Sequence, residues 1–177
     1  LHESGELYIH DLEYYPMGTS TTCHIDLDKL FKDGFSTGYG FLREPNNIMT
    51  YSILSAIAIQ ANQNDQHGGQ SIPQLDYYFA PGIVKTFKKE FKQTVYDFLD
   101  YSDFGIFAAV NGMEREIEKI TTIKFDIGIF DAYCRESEQL KRFFRIAYNK
   151  ALKKTEDIVY QAMEAFIHNL NTMHSRA

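Results

Sequence analysis

The sequence predicts a mostly helical α/β protein. Apolar side chains recur at helical spacing over most of the 177 residues, whereas a run of β-branched residues within residues 19–27 is typical of a short strand. With 44% hydrophobic and 24% charged residues, the composition is that of a globular domain. The 14 phenylalanines and 12 tyrosines provide bulky side chains for a core.

Residues 19–27 predict a short strand near the start of the chain. Successive side chains of a strand point to opposite faces, so Cys23 shares a face with Ile25, while His24 and Asp26 lie on the other. On spacing alone, a thiol in this setting is more often a small buried side chain than a reactive group.

Two helices are predicted next. Residues 28–32 favour a short helix that ends at Gly34. A longer helix begins after a cap at Asn46 or Asn47 and runs to about Gln66. It is apolar or small on nearly every side, which is typical of a helix buried all round. The amide-rich end of this stretch offers many hydrogen-bond donors, to which the sequence alone assigns no purpose.

A further helix begins at Pro73, and we expect Pro81 and Gly82 to interrupt it before another helix opens at Ile83. The part after the interruption has a core-facing stripe at helical spacing, which consists of Val84, Phe87, Phe91 and Val95.

The same part carries four lysines, Lys85, Lys88, Lys89 and Lys92, which we call the lysine row. Their i, i+3, i+4, i+7 spacing places them on one face of the helix, and no acidic residue interleaves them there. The row is either a solvated surface or a site for an anion such as phosphate. The sequence alone leaves both interpretations open.

The last third of the chain is again helical. Residues 113–120 predict a helix whose charged residues form an exposed surface, and residues 124–130 favour a strand or a loop that leads into a helical region where Cys134 packs. Residues 137–175 predict one long helix or two. An apolar seam runs along them, as in a helical bundle or a helical dimer contact, and consists of Leu152, Val159, Met163, Phe166, Leu170 and Met173.

Charge and cysteine content exclude several classes of protein. A net charge of −6 argues against a surface that wraps nucleic acid. Cys23 and Cys134 lie far apart without metal-type spacing, which argues against a secreted disulfide scaffold and favours the cytoplasm. No apolar run approaches the ~20 residues of a membrane-spanning helix. Neither end has the pattern of a natural terminus, so we expect an internal piece of a longer protein.

A metal-dependent hydrolase that uses His10 and Asp11 is one alternative, because adjacent His and Asp side chains can share a metal ion. The supporting pattern is weak, since no second His follows at i+4 on a helix and no carboxylates cluster nearby.

Several segments together resemble one enzyme family. They are Tyr8-Ile-His-Asp-Leu12, residues 19–27, Gly34-Phe-Ser-Thr-Gly-Tyr-Gly-Phe-Leu-Arg-Glu-Pro45, Asn62-Gln-Asn-Asp-Gln-His-Gly-Gly-Gln-Ser-Ile-Pro73 and His168-Asn-Leu-Asn-Thr-Met-His-Ser-Arg-Ala177. In this order they resemble the catalytic chain of the anaerobic ribonucleoside-triphosphate reductases, the class III, glycyl-radical reductases. The resemblance implies that residues 1–177 form a single partial domain, an α/β fragment that opens a ten-stranded α/β barrel and carries helices that dimerise.

The resemblance gives Cys23 a catalytic role. It matches the cysteine on the first barrel strand, beside the ribose of a ribonucleoside triphosphate, which donates a hydrogen atom or an electron as the 2′ hydroxyl leaves. In the family a second cysteine, on a later loop, becomes a thiyl radical; Cys134 does not match that loop. Formate is the expected reductant.

The family's remaining cofactors imply parts that this sequence does not contain. They are a glycyl radical, which a separate S-adenosylmethionine- and iron–sulfur-dependent activating enzyme generates, and a four-cysteine zinc site. The resemblance therefore implies that this chain holds one wall of an active site and is inactive alone.

Three further residues are candidates for contact with the substrate. His10 matches a position near the Cys23 wall, while Asn171 and His174 lie three residues apart on the last predicted helix. The alternative is that these polar groups satisfy buried backbone at the base of the barrel.

The family also binds effectors such as dATP, ATP or dGTP at a helical homodimer interface. Glu44 matches an acidic position of that site and Lys89 a phosphate-binding lysine, with Lys85 and Lys88 beside it; Asn47 stands where some relatives have a basic residue. A second alternative follows, in which the chain is an effector-binding dimerisation module without catalysis.

Overall fold

The computed structural model describes residues 1–10, 12–19, 21–38, 40–101, 107–134 and 137–172. Within these ranges the chain forms five α-helices, three short 3₁₀ segments and four strands of two residues each. The prediction of a mostly helical chain with a few short strands is confirmed, and the ten-stranded barrel stays a prediction.

The first elements follow the sequence closely. A 3₁₀ segment at Leu12–Met17 leads to strand β1, Cys23–His24, and to helix α1, Leu27–Asp33. The carboxylate of Asp26 caps α1 by accepting a backbone hydrogen bond in its first turn at 3.2 Å. Gly34 ends the helix with a φ of 74°, a conformation that glycine adopts at little cost.

The strands form two small sheets. Strand β2, Phe35–Ser36, pairs antiparallel with β3, Phe41–Leu42. Strand β4, Gln70–Ser71, pairs in parallel with β1, so that Cys23 lies opposite Gln70 and His24 opposite Ser71. The strand predicted over residues 19–27 is thus confirmed only at its centre.

Helix α2, Ile48–Asn62, begins at Asn47, whose side chain accepts the backbone N–H of Thr50 at 2.9 Å. It is buried along most of its length, as its composition predicts. Its buried hydroxyls donate to carbonyls of their own helix, Ser55 to Tyr51 at 2.8 Å for example. The helix ends four residues before the predicted Gln66, because a 3₁₀ segment replaces its last turn.

Helix α3, Leu75–Tyr101, is continuous through Pro81. The predicted interruption at Pro81 and Gly82 is therefore wrong. A proline inside a helix removes one backbone hydrogen bond and favours a break, so the surrounding contacts must offset that loss.

Close packing between α2 and α3 supplies these contacts. Gly82 faces the ring of Tyr51, where a Cβ on the glycine would lie 2.7 Å from a ring carbon. The hydroxyl of Thr86 accepts the backbone N–H of Ile48 at 2.9 Å and donates to the carbonyl of Gly82 at 2.8 Å. One threonine of α3 thereby binds the first turn of α2 to the turn that follows the proline.

The last third contains helix α4, Phe107–Lys119, a 3₁₀ segment at Ile127–Tyr133, and helix α5, Glu138–Thr172. Residues 124–130 therefore form a loop that leads into the 3₁₀ segment, and the long C-terminal pattern forms one helix of 35 residues. Cys134 is fully buried, as predicted, and its thiol donates to the carbonyl of Phe130 at 3.3 Å.

Two hydrophobic cores meet along α5. The first core lies between α3, α4 and the N-terminal half of α5, and includes Phe87, Phe91, Phe130 and Phe144. The second lies around α1 and α2, and includes Leu27, Phe31, Ile48 and Tyr51. Of the stripe predicted on α3, Phe87, Phe91 and Val95 enter the first core, with both phenylalanines fully buried, whereas Val84 is half-buried outside it.

The apolar seam of α5 packs within the chain. Leu152 contacts the first core, and Val159 and Met163 contact the second. Phe166 is 4% exposed, with its ring 5.9 Å from that of Phe79. These four residues therefore follow the bundle alternative. Leu170 is half-buried outside both cores, Met173 lies outside the described residues, and a helical dimer contact stays a prediction.

None of the helices within the described ranges has both the length and the apolar content needed to cross a bilayer.

We expect Gly68→Ala to destabilise the protein strongly, because the added Cβ would lie 1.1 Å from the carbonyl oxygen of Thr21. Relief of this overlap requires separation of β1 from the loop before β4, at a cost of about 3 kcal/mol. Urea unfolding measures the loss. Gly69→Ala is the matched control, because nothing lies within 4 Å of its added Cβ and its stability should change by less than about 0.5 kcal/mol. Equal effects of the two changes would contradict the close approach at residue 68.

Candidate functional site

Cys23 faces a cavity of about 350 Å³. The thiol is half-buried, on the face of β1 that Ile25 shares. Apolar side chains form much of the wall, and polar groups are added by Ser36, Thr37, Asn62 and Asp65. The structure thus places Cys23 where a small molecule can reach it, while Cys134 is enclosed by the first core.

Asn62, the last residue of α2, contacts the thiol and is itself bound by two glutamines; we call Asn62, Gln66 and Gln70 the amide cluster. The side-chain nitrogen of Asn62 lies 3.1 Å from the sulfur of Cys23, 2.7 Å from Oε1 of Gln66 and 2.9 Å from Oε1 of Gln70. The amide cluster accounts for part of the amide-rich tract to which the sequence assigned no purpose. Asn62 itself was missed, because its proximity to Cys23 depends on the parallel pairing of β1 and β4.

The opposite face of β1 carries a different group. The ring nitrogen Nδ1 of His24 forms a hydrogen bond with the hydroxyl of Ser71, its neighbour across the sheet. Both side chains are exposed. The predicted alternation is confirmed, since Cys23 points to the cavity while His24 points away from it.

The other residues predicted to contact substrate do not line this cavity. His10 is exposed, with its ring 6.3 Å from that of Tyr8. Asn171 is exposed near the end of α5, where it borders a separate surface depression with His168. His174 lies outside the described residues, so the structure brings neither His10 nor Asn171 to the cavity of Cys23.

The metal hypothesis gains no support from the geometry. Its second residue, Asp11, lies outside the part of the chain that the structure describes. Within that part, no three His, Cys, Asp or Glu side chains lie close enough together to hold a metal ion.

A second cavity, of about 540 Å³, brings together Glu44, Lys85 and Lys88. Lys85 binds the carboxylate of Glu44 at 2.6 Å and the carbonyl of Pro45 at 3.0 Å, and its ammonium lies 5.6 Å above the ring of Tyr51. Partial burial lowers the pKa of Lys85, but the hydrogen bond and charge of Glu44 outweigh it and raise the pKa above its usual value.

The cavity also has aromatic walls. Tyr51, Tyr77 and Tyr78 line it, and Tyr77 is 67% exposed, so its ring is open to a flat ligand. A third lysine, Lys32, adds positive charge at the end of α1. The combination of lysines and tyrosines suits a ligand that has both an anionic group and a planar ring.

The lysine row is less purely basic than its sequence predicts. Glu118 of α4 accepts a hydrogen bond from Lys92 at 2.6 Å, and its backbone carbonyl accepts one from Lys88 at 2.6 Å. Together with the pairing of Lys85 to Glu44, acids from other elements engage the row. Lys89 is exposed, and no acidic side chain among the described residues pairs with it. It lies outside the residues that line the second cavity.

Comparison with known proteins gives one consistent result. A family model described as anaerobic ribonucleoside-triphosphate reductase matches residues 1–177. The protein of that name from Enterobacteria phage T4 is 26% identical over 129 residues, which make up 67% of this chain and 21% of the relative. Those from Salmonella typhimurium and Escherichia coli K12 are each 30% identical over 92 residues, 51% of this chain and 13% of the relative. These matches span about a fifth or less of each relative's length.

We expect Lys92→Met to lower the free energy of unfolding by roughly 0.5 kcal/mol at neutral pH, the usual size for a solvent-exposed ion pair. The hydrogen bond from Lys92 lowers the pKa of Glu118, so the pair stabilises the protein above the ordinary pKa of glutamate. The difference between variant and wild type should vanish as the pH falls through the lowered pKa of Glu118. Urea unfolding at several pH values measures it, with the exposed Lys150→Met as control. A difference that persists in acid would show that Lys92 acts through packing.

Proposed function

This chain belongs to the anaerobic ribonucleoside-triphosphate reductase family, and from that membership we propose that it forms one wall of the active site of such an enzyme. The observation that carries the proposal is the position of Cys23. Of the chain's two cysteines, it is the one that faces a cavity, and it is the one that the family resemblance assigns to catalysis. Cys134 is a core side chain.

Cys23 acts on the ribose of a ribonucleoside triphosphate. Reduction replaces the 2′ hydroxyl by hydrogen and releases water, and a thiol beside the sugar supplies a hydrogen atom or an electron as the hydroxyl leaves. Formate is the proposed source of the electrons that complete the reduction. The unpaired electron comes from a glycyl radical, which a separate activating enzyme generates.

The cavity of Cys23 suits the sugar better than the phosphates. Its volume of about 350 Å³ is at the lower end for small-molecule sites. The hydroxyls of Ser36 and Thr37 can bind sugar hydroxyls, whereas the carboxylate of Asp65 would repel a triphosphate. The triphosphate therefore extends out of this cavity, toward parts of the enzyme that the family's longer chains supply.

The chain's own residues do not fit the family's zinc site. Four thiolates are needed, and Cys23 and Cys134 are the only cysteines present. No step of the proposed reaction in this chain passes through zinc.

The second cavity is proposed as part of an effector site. Lys32, Lys85 and Lys88 offer positive charge to phosphates, and the exposed ring of Tyr77 offers a stacking surface to a base. Effectors of the dATP, ATP or dGTP type combine both features, and the family binds them where two copies meet, so a homodimer belongs to this proposal. The same cavity favours the second candidate function, an effector-binding dimerisation module without catalysis. The hydrolase alternative has no comparable observation.

We expect Cys23→Ala, in the complete polypeptide that carries this sequence, to abolish formation of deoxyribonucleotide. Radical formation on glycine should persist, because the thiol acts after the radical exists. Anaerobic turnover with formate and electron paramagnetic resonance measure the two properties.

Cys134→Ala is the matched control, because it removes the chain's other thiol. It should lose stability through a core cavity and keep its turnover at a temperature where it is folded. Near-normal product from Cys23→Ala would show that Cys23 is only a packing residue.

We expect dATP, dGTP or ATP to bind at the second cavity with an affinity that falls as salt rises. Lys89 lies outside the cavity lining, so it would meet phosphates that extend from the cavity along the row. Lys89→Ala should weaken binding most, because Lys89 alone in the row keeps a charge that no described acid neutralises. Lys85→Ala should weaken it less, since Glu44 already offsets that charge. Calorimetry measures both, and bound nucleotide should raise the unfolding temperature.

Lys150→Ala serves as the control, because Lys150 is exposed on α5 away from the row. If Lys89→Ala and Lys85→Ala bind nucleotide as the control does, the lysine row is a solvated surface and the effector proposal fails.

A further inference from the structure

The amide nitrogen of Asn62 faces more acceptors than it has protons. Oxygen Oε1 of Gln66 lies 2.7 Å away, Oε1 of Gln70 2.9 Å and the sulfur of Cys23 3.1 Å. A primary amide carries two N–H donors. The two protons are therefore shared among three acceptors.

Backbone carbonyls fix the orientation of both glutamines. The amide nitrogen of Gln66 donates to the carbonyl of Gly69 at 2.5 Å, and that of Gln70 donates to the carbonyl of Ile59 at 3.1 Å. Because a carbonyl can only accept, each glutamine must present its nitrogen to the backbone and its oxygen to Asn62. Asn62 must then turn its own nitrogen toward them, and so toward Cys23.

The three acceptors differ in strength. A neutral thiol sulfur is a weak acceptor, so the two carboxamide oxygens hold the protons of Asn62 while Cys23 is neutral. Negative charge on the sulfur reverses this order, because hydrogen bonds to a charged acceptor are roughly twice as strong as neutral ones. One N–H of Asn62 then shifts from a glutamine to the sulfur.

We propose that Asn62 is a positioning residue for Cys23, and that Gln66 and Gln70 set how strongly it acts on the sulfur. The N–H side of Asn62 occupies the lone-pair side of the sulfur, which directs the S–H bond away from α2 and into the cavity. The same contact stabilises negative charge on the sulfur. The role deepens the proposed function and rests on it, since direction of the S–H bond toward a sugar matters only if Cys23 acts on one.

Reactivity of the thiol tests the role without turnover. Iodoacetamide is uncharged and alkylates the thiolate, so its rate at Cys23 rises with pH to a plateau. The midpoint of this profile reports how well the site stabilises the thiolate, whereas the plateau reports access. Peptide mass spectrometry separates Cys23 from the buried Cys134 in the complete, reduced polypeptide.

Two variants should move the midpoint in opposite directions. Asn62→Leu keeps the size of the side chain but removes the donor, so we expect the midpoint to rise by about one pH unit, with alkylation roughly tenfold slower below it. Gln70→Met removes a competing acceptor and frees an N–H for the sulfur, so alkylation below the midpoint should become several-fold faster. A purely structural role predicts that both variants loosen the site and change the plateau in the same direction.

Gln60→Met is the matched control, because Gln60 is exposed on the same helix and should leave the profile unchanged. Besides Cys23, Asp65 is the ionisable side chain in the described lining of the cavity, and its effect on the midpoint is common to every variant.

An unchanged midpoint in folded Asn62→Leu overturns the proposal. If that variant does not fold, Gln70→Met decides alone, and a midpoint that stays or rises overturns the proposal. Neither result bears on Cys23→Ala turnover, which tests the reductase proposal separately.

Discussion

The parallel pairing of β1 with β4 is the contact on which the candidate site depends. Backbone hydrogen bonds flank the pairing on either side, from Cys23 to the carbonyl of Gly69 at 3.1 Å and from Ile25 to that of Ser71 at 2.9 Å. The pairing joins segments almost fifty residues apart and allows a glycine at position 68 to approach the chain before Cys23. Without it, neither the cavity nor the amide cluster would form.

Helix α5 provides that support to both halves of the molecule. Its N-terminal half closes the first core with Phe144 and Ala147, and its C-terminal half closes the second with Ala162. The alanines let neighbouring helices approach closely. The buried hydroxyl of Thr155 donates to the carbonyl of Ala151 at 2.7 Å. The long helix thus joins the region of the lysine row to the region of Cys23 as one folded unit.

Residue types and their spacing predicted helix ends and buried faces well. They did not predict contacts between residues that are distant in sequence. The cap at Asn47, the end of α1 at Gly34 and the buried phenylalanines of α3 follow from residue type and spacing. The continuity of α3 through Pro81 is accompanied by contacts with Ile48 and Tyr51 of α2, which lie about thirty or more residues away and which no local pattern encodes. The acids that pair with the lysine row and the proximity of Asn62 to Cys23 were not predicted either, because these contacts also join residues that are distant in sequence. Segments of unusual composition, including the tract at residues 62–73, supported the family resemblance. Their composition did not predict which residues they contact.

Helix α2 has one end at each cavity. Tyr51, in its first turns, lines the second cavity, and Asn62, its last residue, lines the first. At 1.5 Å per residue its 15 residues form a rod about 22 Å long. A buried helix is stiff along its axis, so a ligand that pushed the N-terminal end by a fraction of an ångström would displace the donor beside the thiol by the same amount. At its N-terminal end, the backbone N–H of Ile48 donates to the hydroxyl of Thr86 in α3. The two cavities are therefore connected by one continuous helix, whose first turn is bound to α3 through Thr86.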